Sequence, residues 1–470
     1  MDTKILAIGV VIVLVAAGLA AAFVLTDDRD DDQERDLDVN LEIYGNADKN
    51  SRVDSADADL VQSWVDAVEA DDQSRISELS PRINLWFADA NRDGKVDAED
   101  VAQIRAIADG TAEHLWFVDG TGKDRDMDVG DSIKRIGCEY YANTEAMLIL
   151  GQADRIAAVD NAPYLYRDFY FDDAKRDTVK NMGAMNEPDY DYVNTLDLDV
   201  LLVFNANPEY QVKQEKMIGT DVLFLGMYNP DLTNTQKSSF IQGILKAGYI
   251  FGAVDRAEDY TDWILEYRDR MLSKAGSIAD ADKPVVAACN YRNTYFQNGT
   301  ENALTCYVAK DPLGQAIALA GGTNINDRLD IHGPKSSVKI AIDAFFSDDA
   351  DLKYIVCHNV KHTYGGGTFD DTPDHGYLED DDTQFREACS TALGQDLMNG
   401  QTVAMAAGDF RNGCSGGVLL AAYLGNLINP DLYGDIDPVA LHNEYIDWMG
   451  IGDYDLKDHG VFFVSMEATG

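Results

Sequence analysis

The sequence predicts an α/β protein in which two Rossmann-like lobes are joined by one long α-helix. Short apolar strands alternate with helical runs from about residue 113, helical periodicity then covers residues 235–280, and the alternation resumes after Pro284. Strand–helix alternation is typical of a parallel sheet with helices on both faces. The 470 residues also leave room for a small all-α calcium-loop module and an N-terminal transmembrane helix ahead of the lobes.

The chain begins with a hydrophobic segment. Residues Ile5 to Leu25 are apolar or small without interruption, Lys4 precedes them, and the acidic run DDRDDDQERD follows. A helix of this length spans about 30 Å, enough to cross a bilayer with its basic flank inside. We therefore predict an anchor or signal segment at residues 1–26 and an acidic linker at 27–42. Retention as a membrane anchor of an extracytoplasmic protein is the preferred interpretation, and cleavage near AAGLAAA is the alternative.

The stretch DANRDGKVDAED has the spacing of a loop that wraps a calcium ion. Places 1, 3, 5, 9 and 12 of such a loop supply side-chain oxygens, place 7 supplies a carbonyl, and place 6 is glycine because the backbone turns sharply there. Gly94 stands at place 6. The predicted ligands are Asp89, Asn91, Asp93, Lys95 (through its carbonyl), Asp97 and Asp100.

An upstream stretch, NADKNSRVDSAD, repeats the pattern 43 residues earlier with Ser51 at place 6. Its predicted ligands are Asn46, Asp48, Asn50, Asp54 and Asp57. Each loop leads into a short helical run, and the pair resembles a type I dockerin. We therefore predict two calcium sites in a module over residues 43–112. The resemblance implies a cohesin-like protein partner, and a calcium-stiffened spacer without a partner is the alternative.

The elements of the lobes follow in chain order. In the first lobe, residues 113–234, the predicted strands are RIGCEY, RIAAVD, VLLVFN and VLFLGM, and the predicted helices are TEAMLILG and PEYQVKQEKMIG. One connecting helix is predicted over 235–280, where apolar residues recur near helical spacing. In the second lobe, residues 281–470, the predicted strands are PVVAACN, KYIVCHN and TVAMAAG, and the predicted helices are GQAIALAGG, VKIAIDAFF, TQFREACSTALGQ and GVLLAAYLGNLI.

Charge and cysteine content exclude several function classes. Acidic residues outnumber basic ones 83 to 38, a formal net charge of −45, so a nucleic-acid partner is not expected because its phosphates would be repelled. The six cysteines are scattered without a CxxC pair, which argues against a zinc ribbon or a thioredoxin-type site.

Four segments, spread over residues 115–450, resemble the substrate-binding proteins of iron-complex and corrinoid ABC importers. The segment from FVDGTGKD to RIAAVD is similar to that family's opening, and DYDYVNTLDLDVLLV to the stretch before its central strand. AGYIFGAVDRAEDYTDWILEYRDRM is similar to the start of its bridging helix, and YLGNLINPDLYGDIDPVALHNEYIDWM to its closing segment. The resemblance implies the class III periplasmic-binding-protein fold. It also implies binding and delivery of a ferric siderophore, haem or a corrinoid such as cobalamin (vitamin B12) to an ABC permease, without catalysis.

Ligand-binding residues are expected just past the strand ends of both lobes, where such sheets bind ligands. The predicted set combines aromatic, amide, histidine and arginine side chains: Tyr140, Tyr141, Asn143, Tyr164, Asn205, Tyr228, Tyr291, Arg292, His358, His362, Phe410 and Arg411. Tyrosine suits bulky planar or chelated ligands. A histidine ligand favours haem or a corrinoid, whereas Arg411 favours an acidic chelate such as a carboxylate siderophore, and both remain open.

The resemblance also implies acidic groups that dock to the permease. Asp191 stands where the family has a glutamate, and it is the predicted docking residue. In the second lobe the matching position falls near Lys339, which departs from the family pattern.

Two alternative functions come from other classes. GCSGG satisfies the G-x-S-x-G pattern of a hydrolase with Ser415 as nucleophile, and Asp437 with His442 or His459 would complete a triad. Only about 55 residues follow Ser415, so little chain remains to bring these partners round. A structural surface protein that adheres through its calcium loops is the other alternative.

Overall fold

The structure is a computed structural model, and it describes residues 37, 39–204, 209–228, 231–232, 235–358, 376–378, 380–452 and 454–467. The predicted N-terminal helix, most of the acidic linker, Asn205 and His362 lie outside these residues. Among the described residues, no helix has both the length and the apolar character needed to span a bilayer. The described residues from Leu37 onward belong to one compact unit.

The segment that carries the two predicted calcium loops, residues 43–112 (the calcium-loop segment), is helical, and a β-hairpin follows it. Its helices are α1 (Ser55–Glu69), α2 (Gln73–Leu79), α3 (Leu85–Ala88) and α4 (Ala98–Ala108), and the hairpin strands are β1 (His114–Val118) and β2 (Asp124–Asp128). Each loop ends in a helix that begins with an aspartate capping box, Asp54 with Asp57 and Asp97 with Asp100. The loop sequence therefore also determines where α1 and α4 begin.

The first lobe contains a five-stranded parallel sheet in the order β5-β4-β3-β6-β7. Its strands are β3 (Ile136–Cys138), β4 (Ile156–Val159), β5 (Lys180–Asn181), β6 (Val200–Leu202) and β7 (Asp221–Leu223). Its helices are α5 (Tyr140–Ile149), α6 (Asn161–Leu165), α7 (Arg167–Tyr170), α8 (Asp173–Arg176), α9 (Tyr190–Asn194) and α10 (Glu209–Lys216). All four predicted strands and both predicted helices are present.

Both faces of the first sheet are covered, as strand–helix alternation predicts. Val200 and Leu202 of β6 belong to the main hydrophobic core, which extends from the calcium-loop segment through both lobes. Leu201, between them, belongs to a smaller core with Val193 of α9 and Tyr210 of α10. Alternate residues of one strand therefore pack against different layers.

The predicted single connecting helix is wrong in its extent. The chain forms α11 (Ser239–Phe251) and α12 (Val254–Gly276), and the break falls at Gly252, whose φ of +71° is left-handed. A left-handed glycine ends a helix because no Cβ opposes that conformation. The 23-residue α12 is the longest helix of the described chain and leads into the second lobe.

The second lobe is built on a seven-stranded mixed sheet in the order β11-β9-β8-β12-β13-β14, with β10 paired to β8. Its strands are β8 (Val285–Asn290), β9 (Ala303–Tyr307), β10 (Thr323–Asn324), β11 (Ser337–Ala341), β12 (Leu352–His358), β13 (Thr402–Ala406) and β14 (Phe463–Glu467). Strands β8, β10, β12 and β13 are parallel, whereas β9, β11 and β14 pair antiparallel to their neighbours.

The helices of the second lobe are mostly short. They are α13 (Thr294–Asn298), α14 (Pro312–Leu319), α15 (Ile325–Arg328), α16 (Ile342–Phe345), α17 (Thr383–Leu393), α18 (Asp409–Asn412), α19 (Val418–Ile428), α20 (Pro430–Tyr433) and α21 (Pro438–Trp448). The helix predicted for VKIAIDAFF is wrong, because its first half is β11, paired antiparallel with β9, and only Ile342–Phe345 is helical.

Candidate functional site

Three aromatic side chains of the first lobe cluster where strands β3, β6 and β7 end. The ring centroid of Tyr140 lies 4.0 Å from that of Phe204 and 5.6 Å from that of Tyr228, and the Phe204 and Tyr228 centroids are 4.9 Å apart. Tyr140 adopts a φ of +69°, and its N–H donates to Asp160 Oδ2 at 3.1 Å. A left-handed tyrosine is unfavourable by itself, so the surrounding contacts must hold it there.

The second lobe contributes an ion pair and a histidine to the same place. Asp311, at the N-cap of α14, is fully buried, and its Oδ2 accepts from Arg411 Nε at 3.0 Å and from Arg411 Nη2 at 2.8 Å. The Arg411 guanidinium lies 5.0 Å from the ring centroid of Tyr307, and the Tyr307 hydroxyl lies 2.6 Å from His358 Nε2. Because Arg411 is already paired, this side of the cluster is close to neutral in charge.

The two sides meet. The Tyr140 hydroxyl donates to Asn412 Oδ1 at 2.7 Å, which joins α5 of the first lobe to α18 of the second. Burial raises the pKa of Tyr140 to about 12, although the neighbouring Arg411 opposes the shift, and burial likewise raises the pKa of Tyr228 well above its ordinary value. At neutral pH these tyrosines are therefore uncharged hydroxyls, suited to hydrogen bonding and ring contact.

Buried Glu145 of α5 forms a second connection between the lobes. Its Oε1 accepts from the Tyr170 hydroxyl at 2.7 Å, and its Oε2 accepts from the Tyr445 hydroxyl at 2.5 Å and from Cys414 N–H at 2.8 Å. Burial raises the pKa of Glu145 from about 4.5 to about 7, although the three hydrogen bonds oppose the shift. The carboxyl thus fixes the first helix of the first lobe against α21 and the turn after α18.

Comparison with solved structures identifies this architecture. The TroA-like periplasmic binding protein FepB from Veillonella parvula superposes with a TM-score of 0.55 at 16% identity, covering 75% of this chain and 99% of that one. The molybdate periplasmic binding protein MolA of a Haemophilus influenzae ABC transporter superposes with a TM-score of 0.52 at 12% identity, covering 72% and 99%. This chain has the fold of periplasmic binding proteins. No protein-family model and no curated protein matches it.

The periplasmic-binding fold confirms the architecture that the resemblance implied. The comparisons do not show the predicted dockerin-like module. The cluster of Tyr140, Tyr228, His358 and Arg411 lies at the strand ends of both sheets, where a ligand is expected in this fold. These four predicted residues are brought together by the structure.

Other predicted ligand residues lie elsewhere. Phe410 and Tyr291 are buried in the hydrophobic core and offer no surface to a ligand, and the Asn143 amide donates to the Glu139 carbonyl at 2.9 Å. Arg292 is exposed. Tyr164 lies 4.4 Å from the Arg167 guanidinium. Tyr141, by contrast, borders the cluster: its ring centroid lies 5.4 Å from that of Tyr140 and 5.5 Å from that of Tyr166.

The structure also adds residues that the sequence analysis missed. Phe204 lies two residues past the end of β6, so its place after a strand was an available signal. Asp311 precedes Pro312, a combination typical of a helix N-cap, but its pairing with Arg411 links positions 100 residues apart. Tyr307 lies on β9, whose antiparallel direction the alternating pattern did not predict.

The site geometry does not assemble the hydrolase triad. Ser415 is buried in the turn before α19. His442 is fully buried, its Nε2 lies 2.9 Å from the Tyr377 hydroxyl, and burial lowers its pKa to about 3. His459 lies 3.4 Å from Asp380. His442 therefore contacts Tyr377, and His459 contacts Asp380, instead of Ser415.

The predicted docking residue and the matching position of the second lobe both lie at the surface. Asp191 lies in the first turn of α9 and is exposed, and Lys339 is exposed on β11.

In the predicted calcium loops, Asp57 and Asp100 are fully buried and accept hydrogen bonds from loop N–H groups. In the described part of the chain, no three His, Cys, Asp or Glu side chains are grouped closely enough to hold a metal ion.

Glu145 provides a pH-dependent prediction. Because its pKa is about 7 in the folded protein and about 4.5 when unfolded, the folded state favours the neutral carboxyl, and stability falls as pH rises from 4.5 to 7. The shift corresponds to about 3 kcal/mol. Glu145→Gln should lose this dependence, measured as the free energy of unfolding in urea between pH 4.5 and pH 8.

The comparison must be made against a second variant, since other buried carboxyls such as Asp160, whose pKa burial raises to about 8, titrate with the same sign. Glu215→Gln removes an exposed carboxyl of α10 and should keep the wild-type profile. Parallel profiles for wild type and Glu145→Gln would show that Glu145 is not the titrating group.

Proposed function

We propose that this protein is an extracytoplasmic solute-binding protein that captures a metal complex and delivers it to the permease of an ABC transporter. The observation that carries the proposal is the meeting of strand-end side chains from two separate sheets that are joined through the 23-residue helix α12. A ligand held between such lobes is enclosed without needing to react. The proposed ligands are a ferric siderophore, haem or a corrinoid.

The chemistry of the cluster favours a large ligand of low charge. Phe204 and Tyr228 are half-buried and offer ring surface, which suits a planar or chelated guest, and the buried Tyr140 packs behind them. Arg411 donates to Asp311 Oδ2 through Nε and Nη2, so a buried carboxylate already offsets its charge. This pairing weakens the case for an acidic chelate held by Arg411 alone.

Delivery would use the surface of the first lobe. We propose that the exposed Asp191 contacts a basic group of the permease, since an acid at the start of a short surface helix can reach a partner directly. The exposed Lys339 places the opposite charge at the matching position of the second lobe, so docking would be asymmetric. The N-terminal segment, as an anchor, would hold the protein near the membrane.

A ligand panel tests the proposal. Purified full-length protein is incubated with ferric hydroxamate, catecholate and carboxylate siderophores, haem and cobalamin, then desalted and examined by visible absorption and thermal unfolding. One class should co-elute, and at 100 times its Kd it should stabilise the protein by about 2.7 kcal/mol. If haem or cobalamin binds, a change in its absorption band in His358→Ala would identify histidine ligation. Failure of every complex to co-elute would refute the proposal.

Metal-free siderophores are the matched control, since a site for the complex should prefer the metal-loaded form. The hydrolase alternative is tested in parallel with Ser415→Ala. Ester hydrolysis by the wild type that is lost in Ser415→Ala would favour that alternative.

A further inference from the structure

We propose that the second of the two repeated loops, Asp89–Asp100, binds a calcium ion, and that the first, Asn46–Asp57, binds none because its own side-chain amides occupy the place of the ion. This inference concerns a site outside the ligand cluster and does not depend on the proposed transport function.

The two loops have similar backbone conformations, so any difference in calcium binding must come mainly from their side chains. At place 4 both chains turn left-handed, with φ of 72° at Lys49 and 59° at Arg92. At place 12, the buried Asp57 and Asp100 each accept hydrogen bonds from the N–H groups of places 3 and 9 of their own loop. In the first loop these donors are Asp48, at 3.0 Å, and Asp54, at 2.9 Å. The repeat is therefore structural as well as sequential.

In the first loop, amide donors stand where a cation needs oxygens. Asn46, at place 1, is fully buried, and its Nδ2 donates to the carbonyls of Leu41 and Asn50, both at 2.7 Å. Its Oδ1 accepts from Lys49 N–H at 3.2 Å. The Asn50 amide, at place 5, donates to Asp48 Oδ2 at 3.1 Å. A calcium ion would have to displace these buried hydrogen bonds, so the loop is already satisfied without it.

In the second loop, a buried carboxylate oxygen lacks a partner. Asp89, at place 1, is only 7% exposed; its Oδ2 accepts from Gly94 N–H across the loop at 3.1 Å, and its Oδ1 has no hydrogen bond. A buried, unpartnered carboxylate oxygen is unfavourable unless a cation or donor reaches it. The hard oxygen of an aspartate at this place is the ligand that calcium requires.

The backbone turn at place 6 also favours calcium binding by the second loop over the first. Gly94 has a φ of +92°, and a Cβ there would meet no atom within 4 Å, whereas Ser51 at the matching place is not left-handed. Only the second loop therefore has the sharp turn expected of a calcium loop. The Arg92 guanidinium lies 4.0 Å from Asp89 Oδ2 but pairs more closely with Asp124, at 2.8 Å.

The acids of the second loop are not yet gathered around one point, so we expect Asp93 and Asp97 to turn inward when the ion binds. Asp93 accepts from Lys95 N–H at 2.9 Å, and Asp97 accepts from Glu99 N–H at 2.9 Å and from Asp100 N–H in its capping box. These are short-range turn contacts, and a carboxylate has a second oxygen with which to meet the ion.

Calorimetric titration of the full-length protein in detergent, stripped with EDTA, tests the inference with calcium chloride alone as the probe. We expect one ion per chain. Asp89→Asn and Asp93→Asn should each weaken binding at least tenfold, whereas Asp48→Asn in the first loop should leave one ion bound with unchanged affinity. Asp93 is exposed, so its variant keeps the test valid if Asp89→Asn fails to fold.

Terbium luminescence gives an independent readout, because Trp86 lies 4.3 Å from the Arg92 guanidinium of the second loop and should sensitise an ion bound there. Sensitised emission should appear in the wild type and in Asp48→Asn and be lost in Asp93→Asn. Two ions per chain, no binding up to about 10 mM calcium, or loss of the ion in Asp48→Asn would overturn the inference.

Discussion

Replacing Tyr228 by alanine is expected to weaken binding of the captured metal complex about 30-fold or more. Its half-buried ring closes the aromatic cluster with Tyr140 and Phe204, and its removal deletes ring surface and one hydroxyl from the centre of the site. Large aromatic residues at the centre of a binding surface contribute about 2 kcal/mol or more when truncated to alanine. The measurement is the Kd of the complex that co-elutes with the wild type.

The matched control is Tyr192→Ala. Tyr192 belongs to the same lobe but is 41% exposed on α9, so its truncation should leave the affinity unchanged. Tyr228→Phe separates ring from hydroxyl: retention of most of the affinity would assign the effect to the ring. If Tyr228→Ala and Tyr192→Ala bind equally well, the ligand does not occupy the cluster.

Lys213→Met is expected to reduce the free energy of unfolding by about 3–5 kcal/mol. Lys213 of α10 is buried, and its Nζ lies 2.5 Å from Oε1 of Glu139, which is also buried at the end of β3. Glu139 Oε2 accepts from Phe204 N–H at 3.2 Å, so this carboxylate also positions the aromatic cluster. Removing only the lysine leaves a buried charge without its counter-charge, which is the costly case.

Urea unfolding of single and double variants distinguishes loss of the buried ion pair from a general effect of replacing a lysine of α10. Lys213→Met combined with Glu139→Gln removes both charges and should recover much of the loss. Lys216→Met, one turn further along α10 at an exposed position, should change stability by less than about 0.5 kcal/mol. Equal effects of Lys213→Met and Lys216→Met would contradict the assignment of a buried ion pair.

The strands of both lobes could be predicted because their apolar runs are short and separated by helical segments. The break between α11 and α12 was missed because apolar residues continue at helical spacing on both sides of Gly252, although a lone glycine is itself a signal for a helix end. Strand β11 was missed for a different reason. Val338 and Ile340 alternate with period two, but the apolar AFF that follows extends the run into a helical pattern.

The site was predictable where it depends on position after a strand and not where it depends on partners. Tyr140, Tyr228 and Arg411 were predicted because each lies within five residues of the carboxyl end of a strand. The pairing of Arg411 with Asp311 could not be read from the sequence, because a side chain chooses its partner only once distant segments are packed together. That pairing changes the expected ligand, since an arginine already neutralised attracts an acidic chelate less.

The calcium loops illustrate the same limit on a smaller scale. Spacing alone predicts equal sites, because Asn and Asp both carry an oxygen at the required places. In the first loop, the Asn46 Nδ2 group donates to the carbonyls of Leu41 and Asn50. The residue expected to supply an oxygen ligand therefore acts as a hydrogen-bond donor, and the sequence does not show this.

Native mass spectrometry of the protein after exposure to the ligand panel tests the central claim most directly. The account predicts a one-to-one complex with one class of metal chelate, from which the chelate is released at its starting mass. A protein that retains none of these chelates, or that releases a chemically altered one, would contradict an account based on capture without reaction.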